Sequence, residues 1–151
     1  MLLPHSFMTI NFDYQQLVEA SADAIMVCDA AGKITLWNPA SVRMFGFTEA
    51  EALGQSLDII IPQRQQARHW EGYHVTMASG ITKYGTSVLR VPATHKDGHT
   101  LSIAFTVSLM RDAEEKVTAI VAIVRDESAK FAEERALRKR ITELEIDLGQ
   151  K

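Results

Sequence analysis

The sequence predicts an α+β fold, a five-stranded antiparallel sheet with helices on one face, followed by a C-terminal amphipathic helix. Two β-prone runs come first, several short helical patterns follow, and three Val-, Ile- and Thr-rich runs come last, a segregated order unlike the alternation that builds a parallel sheet. Within the middle of those three runs Leu101, Ile103, Phe105, Val107 and Leu109 alternate with Ser102, Ala104, Thr106 and Ser108, the two-residue period of a strand with one buried face. At 151 residues, 46% apolar and 23% charged, the chain has room for one ordinary domain and a modest extension.

The expected organisation is an N-terminal extension over 1–10, a domain over 11–126 and a C-terminal helix or coiled coil over 127–151. A short helix over Phe12 to Ala20, capped by Asn11 or Asp13, offers Phe12, Leu17 and Val18 to one edge of the core. Ala24 to Cys28 and Ile34 to Asn38 flank a turn carrying Asp29 and Gly32 and read as a hairpin. After Pro39, Ala40 to Phe47 is helix-forming, with Val42, Met44, Phe45 and Phe47 as core anchors. Thr48 followed by Glu51 is a capping-box pattern that opens a second short helix ending at Gly54. Leu57 to Ile61 is a short apolar stretch closed by Pro62, and Gln63 to Ala78 reads as one longer helix stopped by Gly80. The strands Ser87 to Ala93, Leu101 to Met110 and Val117 to Val124 are joined by turns at His95-Lys96-Asp97-Gly98 and Asp112 to Lys116. A fully buried Phe105 is expected to make this half the one that fixes the fold.

From Glu127 to Leu148 the pattern is helical again, with Asp126 or Ser128 placed to cap it. Leu137, Ile141, Leu144 and Leu148 are spaced by 4, 3 and 4 residues, the seam spacing of a coiled coil, which predicts a homodimer through this helix. A tail folded back on its own domain is the alternative.

Composition excludes several classes. A net charge of −3 and the lack of a basic patch interleaved with aromatics argue against nucleic acid as a partner. Met1 to Ile10 lacks the basic and apolar regions of a secretory signal and no apolar run is long enough for a membrane span, so a cytoplasmic protein is expected. The single cysteine, Cys28, sits in an apolar strand and reads as a small buried hydrophobe. No Gly-rich phosphate loop, nucleophile elbow or His-Glu-x-x-His helix occurs, so the chain is not expected to be an enzyme.

The motifs Ala24-Ile25-Met26-Val27 with Asp29 and Gly32, Trp37-Asn38-Pro39-Ala40 leading to Phe45-Gly46-Phe47, and Glu51-Ala52-Leu53-Gly54-Gln55 resemble the PAS family. His95-Lys96-Asp97-Gly98 and the exit Val124-Arg125-Asp126-Glu127-Ser128 extend the resemblance over Phe12 to about Lys130. It implies the PAS fold, a role in sensing and signal transduction, and dimerisation through flanking helices. In these terms Asn38 and Asp126 are turn and cap residues, and Trp37 a packed aromatic.

The same resemblance bears on the ligand. Flavin photosensors of the family carry a Cys after the short pocket helices; here Ser56 to Gln66 has none, and Cys28 lies on the first strand. Leu57 to Gln63 followed by Arg68-His69-Trp70 is similar to the heme-binding branch of PAS oxygen sensors, in which a His on the long helix is the axial iron ligand. The resemblance implies heme b held by His69, within a pocket of Tyr73, Leu89, Ile103, Phe105, Val107 and Ile123. Local periodicity leaves His74 in reserve, because Trp70, Tyr73, His74 and Met77 also form a helical stripe and two imidazoles five residues apart lie roughly 140° around a helix.

Oxygen-sensing relatives place an Arg or Met of the third strand on the distal side. Counting back from the Asp97-Gly98 turn puts Ser87 and Leu89 at those places, with Arg90 one residue away and on the other face. A distal wall of Leu89, Phe105 and Val107 favours carbon monoxide, nitric oxide or redox state as the signal. His95 and His99 read as solvated loop residues, not metal ligands. The output element is the terminal helix, and its recipient is a separate, unidentified downstream signalling protein. A heme-free PAS module acting through protein contacts or a small organic ligand is the alternative reading.

Overall fold

The computed structural model describes residues 12–150, so the extension 1–10 and the expected cap Asn11 lie outside the described residues. Helix α1 (Tyr14–Ala20) starts where the Asp13 carboxylate accepts the N–H groups of Gln15 and Gln16 at 3.0 and 3.2 Å. Phe12 and Leu17 do not cover the core as expected; they stand 64% and 61% exposed. Seven residues make only two turns with one inward stripe, and Val18 occupies it.

Strands β1 (Ala24–Asp29) and β2 (Ile34–Trp37) form the predicted hairpin. Asp29 closes its turn by accepting from the N–H groups of Ala31 and Lys33 at 2.9 and 3.0 Å. Gly32 has φ +83°, and a Cβ there would overlap the Trp70 ring, so the position requires glycine both for conformation and for close approach. Helix α2 (Pro39–Phe45) follows, with Pro39 in its first turn, then α3 (Glu49–Ala52), a 3₁₀ turn over Leu57–Ile60 and α4 (Gln63–Ser79). The Thr48–Glu51 capping box is formed in both directions. Strands β3 (Leu89–Thr94), β4 (Thr100–Arg111) and β5 (Val117–Asp126) lead into α5 (Ser128–Gly149).

The sheet order is β2-β1-β5-β4-β3, every neighbouring pair antiparallel. Directly paired residues share a face. One row therefore reads Ala24, Val124, Phe105 and Leu89 across four strands, and the next reads Met26, Ala122 and Val107. These rows face the helices, because Ala24, Met26 and Val124 are buried beneath them.

The tightest packing lies at the β1–β2 end. Trp37, Phe45, Ile34, Val124 and Ser41 are the largest fully buried side chains, and the Trp37 and Phe45 rings meet at 5.6 Å between centroids. Buried Asn38 is a fold marker as expected. Its Oδ1 accepts from the backbone N–H of Ile25 and Ser41 and from the Ser41 hydroxyl, and its amide donates to the carbonyls of Val18 and Asp23. Phe105, expected at full burial, is half-buried, while Leu101 and Ile103 on the same face of β4 are buried in the core.

Candidate functional site: the wall between α4 and the outer strands

Helix α4 turns one stripe toward the sheet, made of Gln66, His69, Trp70, Tyr73 and Met77. Tyr73 is buried and its hydroxyl donates to the Asp29 carbonyl, while Trp70 Nε1 donates to Asp58 Oδ1 at 2.6 Å and its ring covers Gly32. These contacts fix the rotation of the helix. His69 lies on the inward side, its ring 4.6 Å from Trp70 and 5.9 Å from Tyr73 between centroids, and His74 is exposed. The stripe that left His74 in reserve is real in Trp70, Tyr73 and Met77, but its centre lies toward His69.

Nδ1 of His69 is buried and has no hydrogen-bond partner. Burial lowers the pKa of this imidazole below its ordinary 6.5, opposed in part by the Asp58 carboxylate, so the ring is held neutral at pH 7. Burial also pushes the Tyr73 phenol up, with the neighbouring Cys28 and Asp29 adding to it. The phenol is a fixed hydrogen-bond donor rather than a titrating group.

Opposite this helix, register places Leu89, Phe105, Val107 and Ile103 on the helix-facing side of β3 and β4. Ile103 is fully covered, Leu89, Phe105 and Val107 are half-covered, and Val91, also on this side, is 37% exposed. Ile123 requires correction as a pocket residue. It pairs with Ile25 and Thr106 on the opposite face of the sheet and is 41% exposed, and the helix-facing residues of β5 include Ile120, Ala122 and Val124. Arg90 lies outside the wall as the one-residue offset requires, its Nε 3.4 Å from Glu127 Oε2.

The residues present fit a flat apolar macrocycle with one axial nitrogen. A neutral, unpartnered buried imidazole is the donor that iron takes, and the incompletely covered wall of Leu89, Phe105 and Val107 is apolar surface of the kind a porphyrin covers. Cys28 points into the core from β1, and desolvation with the Asp29 charge raises its thiol to about 12, which makes it a poor nucleophile toward a flavin.

The wall is joined to α5. Ser102 of β4 donates its N–H to Ser128 Oγ at 3.0 Å and accepts the Glu127 N–H at 2.8 Å, while Asp126 accepts the Ser128 N–H at 2.8 Å. Sequence reasoning found Asp126 as a cap and missed Ser102, whose position reads only as a polar strand residue. Among the described residues no helix is long and apolar enough to cross a membrane.

A family model described as the PAS fold matches residues 13–126. Sensor protein FixL of Bradyrhizobium diazoefficiens is 28% identical over 137 residues, 89% of this chain and 25% of that protein. Oxygen sensor protein DosP of Escherichia coli is 27% identical over 109 residues, 72% of this chain and 13% of that protein. The chain thus spans a quarter or less of the length of these relatives. Among solved structures, the PAS domain of a Colwellia psychrerythraea protein superimposes with a TM-score of 0.67 at 22% identity, over 77% of this chain and 95% of that one. An RNA-binding Light-Oxygen-Voltage receptor gives the same TM-score at 18% identity, over 85% of this chain and 36% of that one. At these identities the superpositions establish the fold.

Proposed function

The chain belongs to the PAS family and is a sensory domain, and we propose that it is a non-catalytic, cytoplasmic sensor holding heme b through His69 and responding to a diatomic gas or to redox state. The observation that carries this reading is the buried Nδ1 of His69, left without a partner on the inward stripe of α4. Distant similarity to the sensor proteins FixL and DosP supports it. Bound there, heme would supply an iron centre whose free coordination position takes a gas or whose oxidation state changes. The chain's own residues divide the remaining work. His69 would hold the iron through its imidazole; Leu89, Phe105 and Val107 would exclude water and offer no hydrogen-bond donor, which would favour carbon monoxide, nitric oxide or redox change over stable oxygen carriage.

Displacement of β4 by a pocket ligand would reach α5 through the Ser102–Ser128 and Ser102–Glu127 hydrogen bonds, provided the ligand favours one of two arrangements of that joint. In this reading α5 pairs with a second copy. Leu137, Ile141, Leu144 and Leu148 are 57%, 55%, 44% and 71% exposed, and α5 has no buried residue of its own. A seam of four exposed apolar residues at coiled-coil spacing calls for a partner helix.

One observation favours the heme-free alternative. Trp70 and Tyr73 clamp α4 to the β1–β2 turn through contacts within the protein itself. Titration of the chain with hemin separates the two readings: the wild type should develop a Soret band at one heme per chain, His74→Ala should retain it and His69→Ala should lose or shift it. No band at excess hemin establishes the heme-free module, and loss in His74→Ala alone overturns the assignment of His69. For the tail, Ile141→Asp with Leu144→Asp should convert a dimer to a monomer in sedimentation, because unpaired charges in a packed seam are costly. A persisting dimer places the interface elsewhere.

A further inference from the structure

The β3–β4 turn gathers three metal-type donors, of which His95 and His99 read in the sequence as solvated loop residues. His95 and His99 face each other across it, with the His95 N–H donating to the His99 carbonyl at 2.9 Å. Their rings stack with centroids 4.5 Å apart and an interplanar angle of 22°. Asp97 folds back from the tip, its Oδ1 3.2 Å from His95 Nδ1 and in direct contact with His99 Nδ1. One donor atom from each of the three residues lies within 4.8 Å of the others.

The turn is held before any ion arrives. Gly98 donates to the His95 carbonyl at 2.9 Å, His99 N–H to Asp97 Oδ1 at 2.9 Å, and Asp97 N–H to His95 Nδ1 at 3.1 Å. The last bond fixes the His95 ring, and an ion taken by His95 Nδ1 would displace the Asp97 N–H from it. His95 is not solvated as expected: its side chain is 20% exposed and its ring packs so closely on Gly46 that a Cβ there would lie 2.6 Å from Cε1. Lys96, the nearest cation in sequence, turns away to Glu51 at 2.6 Å and leaves Asp97 to the imidazoles.

We propose that His95, Asp97 and His99 form a site for a borderline divalent cation, Zn²⁺ in the first instance. Two imidazoles and one carboxylate are a donor set Zn²⁺ prefers, and three protein ligands leave its fourth position to water. Donors around a tetrahedral ion with bonds of about 2.1 Å sit roughly 3.4 Å apart, so the widest pair must close by up to about 1.4 Å while the Asp97–His99 contact opens. Asp97 and His99 are free to make that movement, with side chains 61% and 54% exposed. The site stands apart from the α4 wall and does not depend on heme. The turn is tied to α2, since Lys96 N–H donates to the Phe45 carbonyl at 2.9 Å, and lies three residues before Ser102. An ion there would draw together α2, the hairpin and the strand that holds α5.

Calorimetric titration of the tag-free, heme-free chain with ZnCl₂ tests this, with Co²⁺ absorption reporting coordination geometry. The expected result is one Zn²⁺ per chain and d–d bands of a tetrahedral site. Affinity should fall more than about 10-fold in His99→Ala and in Asp97→Asn, both at exposed positions, and be unchanged in His74→Ala. Circular dichroism of the two variants confirms that the fold is kept. Absence of uptake, or uptake that His99→Ala and Asp97→Asn leave unaltered, overturns the proposal.

Discussion

Around β1, β2 and α2 the side chains of Trp37, Ile34, Phe45 and Ser41 are withdrawn almost wholly from solvent, whereas on β3 and β4 Leu89, Phe105 and Val107 are only half-covered. Trp37 and Ile34 lie on the same face of the sheet as Leu89, Phe105 and Val107. The difference is what lies on them: α2 and the Asn38 network press directly on the first region, while α4 is drawn by Tyr73 and Trp70 toward the β1–β2 turn. The β1–β2 end is therefore sealed, while the β3–β4 end, though Ala93, Leu101 and Ile103 are buried there, keeps Leu89, Phe105 and Val107 as surface that a ligand can cover.

The contrast is open to direct attack. Trp37→Ala should be the most damaging truncation, at about 3 to 5 kcal/mol in denaturant unfolding, because it empties a buried site and leaves the Phe47 carbonyl without its Trp37 Nε1 donor. Phe105→Ala should cost about 2 kcal/mol in the heme-free chain, since part of that ring is already in water. Equal losses for the two would erase the distinction between sealed and open ends. A finer test uses pH on the heme-free chain. The folded-state pKa of His69 is depressed below 6.5, so between that lowered value and 6.5 the unfolded chain binds the proton and the folded chain does not. Stability from this group is complete above 6.5 and is lost as pH falls through the window, and His69→Ala should flatten that part of the slope. Denaturation midpoints measured from about pH 5 to pH 8 decide it; an unaltered slope would place His69 in solvent.

The sealed end was the more legible of the two in the sequence. Its elements carry local chemistry that acts within a few residues: the Thr48–Glu51 capping box, the Asp29 and Gly32 turn, the Asn38 cap ahead of Pro39. The alternation in β4 likewise gave the correct faces. In β5, however, Ile120, Val121, Ala122, Ile123 and Val124 are apolar at every position, and pairing with β1 and β4 alone decides which point inward. That is why Ile123 was assigned to the wrong face. Between His69 and His74 the helical period was indifferent, and the choice came from family resemblance; in the structure the tertiary bonds of Trp70 and Tyr73 set the rotation. His95 and His99 read as solvated loop residues, yet His95 is largely covered, because the turn packs its ring on Gly46 and its own hydrogen bonds bring Asp97 back to the imidazoles, which spacing alone does not show.

The attachment of α5 to the domain has a mechanical consequence. Its 22 residues make a rod about 33 Å long, and among its described contacts the hydrogen bonds to the sheet all lie at its root, around Ser102. A rigid rod anchored at one end multiplies angle into distance. A tilt of about 5° at Ser128 would carry the far end near Leu148 through about 3 Å. Two such rods packed along Leu137, Ile141, Leu144 and Leu148 would convert equal tilts at their roots into a change of separation or twist at their tips, so that a displacement too small to disturb the sheet becomes one that a neighbouring protein can read.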